Sequence, residues 1–91
     1  MFTTTKYIVV SNADGHTEKM IIFPSSIKHE TMFGMFKESL WPKIVSAGFI
    51  SEFMECYGES MSVNRKSRDL DTLMLQIMLS IDDKEIKMKK N

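Results

Sequence analysis

Two β-prone runs on either side of one turn constrain this chain most. Lys6-Tyr-Ile-Val-Val-Ser11 is β-branched and aromatic. From Thr17 to Phe23, Glu18, Met20 and Ile22 alternate with Thr17, Lys19, Ile21 and Phe23. Between them lies Asn12-Ala-Asp-Gly-His16. Gly15 accepts a positive φ and Asp14 can bond its own backbone, so the pattern predicts a β-hairpin.

Pro24-Ser25-Ser26 ends the second run, and either serine can cap a following helix. Phe33, Phe36 and Leu40 sit at helical spacing, with His29 one turn earlier. Pro42 disfavours helix at Trp41, so this helix is expected from Ile27 to about Leu40. Lys43 to Tyr57 is apolar and β-prone but too long for one strand. Ala47-Gly48 suggests a bulge or bend there, giving one bent strand or two short ones. Ser60 to Val63 offers a further edge strand. A last helix is expected from about Leu70 to Ile81, capped by Ser67 or Asp69. Leu70, Leu73, Met74, Ile77, Met78 and Ile81 form its apolar stripe. Residues 82–91 read as a charged tail expected to fray.

The expected fold is therefore α+β: a small antiparallel sheet of three or four strands, in the order β-β-α-β-(β)-α, with two helices on one face. With 91 residues, it is read as a single domain over 1–81. Twelve basic and twelve acidic residues give a net charge of zero, which supplies no general attraction to double-stranded nucleic acid or to membranes. No apolar run reaches the roughly 20 residues of a bilayer span. Cys56 is the only cysteine, so no internal disulfide forms and a reducing cytoplasm is expected. Nine methionines make a homodimer or higher homo-oligomer one reading of an adaptable surface, and a loosely specified core the other.

Catalytic and cofactor signatures are lacking: there is no Gly-rich phosphate loop, no nucleophile elbow and no paired-carboxylate pattern. Neither a metal nor a cofactor is expected, because Cys56, His16 and His29 have no ligand spacing. Cys56 reads as an inert thiol, and Glu52, Glu55 and Glu59 as a solvated face. His29 reads either as a hydrogen-bonded core residue or as an anion contact.

The segment from Tyr57 to Asp69 differs from the rest. It gathers Ser60, Ser62 and Ser67 and the amide of Asn64 with Arg65, Lys66 and Arg68 just before a helix start. Guanidinium forks and free helical N–H groups suit phosphate or carboxylate. The competing reading is a solvated loop in which Arg68 pairs with Asp71. On the binding reading, Tyr57 stacks a base, Arg65 and Arg68 clamp phosphate, and His29 and Ser46 join if the fold brings them near.

Ile22-Phe23-Pro24, Ile27, His29 and Met32, Val45-Ser46-Ala47-Gly48-Phe49, Cys56-Tyr57-Gly58-Glu59-Ser60-Met61-Ser62 and Ser67-Arg68-Asp69 together form a pattern that resembles a group of short, uncharacterised phage- and prophage-encoded proteins. The resemblance spans about Tyr7 to Leu79. Where those proteins often carry Leu-Gly-Leu before Lys-Ser-Arg, this chain has Val63-Asn64-Arg65. The resemblance implies expression in a bacterial host's cytoplasm and brings no activity or catalytic residue with it. Together with the donor and cation density before the last helix, it suggests a non-enzymatic accessory protein of anti-defence type that binds a nucleotide-like anion, such as a host immune signal. Two other readings remain open: a protein-surface inhibitor of a host enzyme, and a small virion or assembly protein.

Overall fold

The computed structural model describes residues 4–89, with side chains through Ser80. Strands β1 (Thr5–Ser11) and β2 (Glu18–Pro24) form the expected antiparallel hairpin, with Tyr7 opposite Ile22 and Val9 opposite Met20. Asp14 Oδ1 accepts the His16 N–H and Asn12 Oδ1 accepts the Thr17 N–H, so side chains close the turn. Strand β3 (Lys43–Ile50) pairs antiparallel with the other edge of β1. The long apolar segment thus resolves into two strands. The chain turns at Ser51–Glu55, with Met54 at φ 60°, and returns as the two-residue strand β4 (Cys56–Tyr57) on β3.

The four-stranded order is β2-β1-β3-β4. The bulge expected at Ala47-Gly48 lies earlier in β3. Val9 faces Ser46 and Val10 faces Ile44, which leaves Val45 unmatched. Gly48 instead makes room for the neighbouring strand. A Cβ there would lie 2.5 Å from the Tyr57 carbonyl oxygen, so only glycine lets β4 approach. Strands β5 (Glu59–Ser60) and β6 (Arg65–Lys66) form a separate small hairpin beside β3.

Helix α1 is shorter than its periodicity suggests, running His29–Gly34 and continuing as turns through Leu40. Past Gly34 the bonds from Phe36 N–H to Phe33 O and from Ser39 N–H to Phe36 O are of the tighter i→i+3 kind. Neither serine caps it; Lys28 holds the N-cap position without a side-chain bond. Helix α2 runs Asp69–Lys89. It passes the expected end at Ile81 because no glycine or proline interrupts residues 82–89. The backbone of 82–89 is therefore helical, a correction to the reading of a tail; the two last residues lie outside the described range.

The helices do not share a face, and here the expectation is corrected. Ile8, Val10, Phe23 and Ala47 pack with Met32, Phe33 and Phe36 of the α1 segment. Tyr7, Val9, Met20 and Ile50 pack with Leu75 and Met74 of α2. Successive β1 side chains point to opposite sides, so the two clusters are the two faces of the sheet. The continuous run Tyr7-Ile-Val-Val10, buried throughout, is the signature of a central strand covered on both sides.

Candidate functional site

The residues gathered between Tyr57 and Asp69 divide into a group that lines one cleft and a group that holds the fold. The cleft has a volume of about 450 Å³. Its floor includes Val45, the bulged residue of β3, and its walls come from the β5–β6 hairpin: Glu59, Ser60, Met61, Asn64, Arg65 and Lys66, with Arg68 at the end. The hairpin closes through the turn Met61–Asn64, where the Asn64 N–H reaches Met61 O and Asn64 sits at φ 54°. Asparagine tolerates this left-handed backbone better than most residues.

Arg65 is fixed but not neutralised. Its Nε donates to the Ile44 carbonyl at 3.2 Å and its Nη1 to the Asn64 carbonyl at 2.9 Å. Among the described residues no carboxylate lies within ion-pair distance of Arg65 or Lys66; both side chains are exposed. Glu59 stands opposite Lys66 in register, and Ser60 opposite Arg65. Ser60 is buried, with its hydroxyl 3.2 Å from that of Ser62. The cleft thus presents two unpaired cations, one carboxylate, a hydroxyl and an amide over a partly apolar floor.

Arg68 behaves otherwise, as the competing loop reading expects. Its guanidinium meets Glu18 Oε1 and Asp71 Oδ1, both at 2.8 Å. The hydrogen bonds to Glu18 raise its pKa further, with those to Asp71 adding to the effect. Asp71 is fully buried. Its Oδ2 takes the Arg68 backbone N–H at 3.0 Å and the Tyr7 hydroxyl at 2.6 Å. The third residue of α2 thus reaches back to its N-cap, half of a capping box, and neither Ser67 nor Asp69 supplies the cap. Burial, reinforced by Asp71, pushes the Tyr7 phenol far above its ordinary value. Two carboxylates occupy Arg68, so it lines the cleft without offering a free charge.

Ser62 stands outside the cleft lining, and so do four further expected site residues. Tyr57 leans on Phe49 with ring centres 5.8 Å apart, outside the cleft lining. Ser67 lies beside Gly48, its N–H bonded to Gly58 O. His29 is buried, its Nε2 2.9 Å from Gly48 O and its ring edge-on to Phe23 and Phe49. Burial lowers its pKa, so it is a neutral core residue, the first of its two readings. Ser46 is completely buried in β3 and its hydroxyl finds no partner among the described residues. Burial likewise raises the Cys56 pKa, against nucleophilic use.

Comparison with family models, curated proteins and solved structures finds no match to this chain. Val45, Glu59 and Met61 line the cleft without having stood out in the sequence, whereas Asn64 belongs to the segment read as a candidate site. The signal for Asn64 was present, since a polar turn between two short β-prone pairs invites asparagine at a positive φ. No helix among the described residues is long and apolar enough to cross a membrane.

Proposed function

We propose that this protein is a non-enzymatic binder of a small nucleotide-like anion, held in the cleft of the β5–β6 hairpin. The observation that supports it is the placement of Arg65 and Lys66, unpaired among the described residues, around a 450 Å³ cleft. Two backbone carbonyls orient the Arg65 fork without cancelling its charge, so it is preorganised for phosphate. Val45 and Met61 offer apolar surface to a base. Glu59 can accept from a ribose hydroxyl or a base amine, which favours a nucleotide over bare phosphate. Ser60 and Asn64 add neutral donors.

In the setting that the resemblance to phage-encoded proteins implies, such a site serves to sequester a host nucleotide signal in the bacterial cytoplasm. The single free cysteine accords with that compartment.

Titration calorimetry with linear and cyclic nucleotides, and with inorganic phosphate as comparison, tests this reading. Nucleotides should bind at submillimolar concentration, and Arg65→Ala and Lys66→Ala should each weaken binding about tenfold, the loss of one charge-assisted contact. Absence of binding across the panel, or variants that bind as the wild type does, would reject it.

A further inference from the structure

Helix α2 carries more apolar surface than its own sheet covers. Through its first three turns the buried side chains are Asp71 and Leu75, with Thr72 and Met74 half-buried beside them. On the flank away from them, Leu70, Leu73 and Ile77 are 49%, 55% and 60% exposed. Their spacing of three and four residues puts them in one row. That row borders a groove of about 410 Å³ between α2 and β2, lined by Met20, Met74, Ile77 and Met78 with Glu18 and Lys19 at its rim. The groove and the row form one continuous apolar surface, and Ile77 belongs to both.

We infer that a second copy of this chain covers this surface, in a twofold dimer with α2 packed against α2. Three observations select that occupant. First, the surface is self-complementary in form: a raised row of leucine and isoleucine lies beside a methionine-lined groove, so a twofold axis can seat each row in the partner's groove. Second, among the described residues that line the groove, no carboxylate is left unpaired to draw a basic peptide. Glu18 is bound by Arg68, and Lys19 lies over the Trp41 ring on the opposite face. A net charge of zero adds no repulsion between copies. Third, the size fits. The exposed parts of Leu70, Leu73, Ile77 and Met78 amount to roughly 400 Å² of side-chain surface, about half of the ~800 Å² that each partner buries in a standard interface and close to the usual apolar share.

The dimer surface meets the anion cleft at Arg68, which lines the cleft and binds Glu18 at the groove's rim, while Arg65 and Lys66 stand on the β5–β6 hairpin beside β3. Sedimentation velocity and light scattering on the full chain over micromolar to submillimolar concentration read it directly. A particle of twice 10.5 kDa is expected. Leu73→Glu and Ile77→Glu should each return it to the monomer with unchanged circular dichroism, since both side chains are already mostly in water. A wild-type monomer throughout the range overturns the inference, as does a dimer that both variants leave intact. Should a glutamate variant fail to fold, Leu73→Gln and Ile77→Gln provide the same comparison with no new charge, and the wild-type mass decides on its own.

Discussion

The Tyr7 hydroxyl donates to Asp71 Oδ2 at 2.6 Å across 64 positions of sequence, joining the central strand to the start of the last helix. Both side chains are fully buried, and Arg68 completes the carboxylate's partners. Removing one member of such a set strands the others. Asp71→Asn should destabilise the fold by about 3 kcal/mol, and Tyr7→Phe by about 1–2 kcal/mol, since the latter removes one neutral donor only. Urea unfolding of the two variants measures both, and Asp71→Asn should be the worse.

Arg68→Ala separates fold from binding. It removes the partner of both Glu18 and Asp71, so a stability loss of about 2–3 kcal/mol is expected. At a temperature where the variant stays folded, nucleotide affinity should change less than in Arg65→Ala. Thermal melts and calorimetry on the same samples check this.

His29 gives a pH dependence whose sign is set by burial. Its folded pKa lies below the ordinary 6.5, so the unfolded chain takes up the proton first. The contribution to stability is complete above pH 6.5 and drains away as pH falls from there through the folded value. His29→Gln should flatten this part of the curve of unfolding free energy against pH. A wild-type curve that rises on acidification in that window would contradict the assignment.

Two glycines should respond oppositely to the same substitution. Gly48→Ala drives a Cβ into the Tyr57 carbonyl and should cost about 1–3 kcal/mol as β4 is pushed off β3. Gly34→Ala meets nothing within 4 Å and should stabilise α1 by up to about 1 kcal/mol. Denaturant midpoints distinguish them.

Ser46→Ala should be neutral or stabilising by up to about 1 kcal/mol, because its buried hydroxyl has no partner among the described residues to lose. A large loss of stability would show that this oxygen is bonded in solution.

The hairpin was legible because everything that fixes it is local: alternation, Asp14-Gly15 and the strand lengths. The sides taken by the helices were not. The expected apolar stripe of α2 ran through Leu70, Leu73, Met74, Ile77, Met78 and Ile81; Met74 packs on the core, whereas Leu70, Leu73 and Ile77 are exposed and the helix turns Asp71, Thr72 and Leu75 inward. A carboxylate reads as solvent-facing until its distant partner Tyr7 is known, and no periodicity reports a bond across 64 positions. The candidate site shows the same division. Ser60, Arg65 and Lys66 converge as their density suggested, because a short hairpin holds them together. His29 and Ser46 could join them only if the fold brought them near, and the sheet buries both away from the cleft lining.

Strand β1 lies between two neighbours and beneath two covering layers, while β4, β5 and β6 are two residues long each. The molecule therefore has a hard slab and a soft margin. Amides of Tyr7 to Val10 should exchange with solvent only on global unfolding, whereas the β5–β6 hairpin can open by itself at far lower cost. A ligand entering beside Arg65 meets the part of the chain that can yield without disturbing the rest, and tight binding would be recorded as slowed exchange in those few amides.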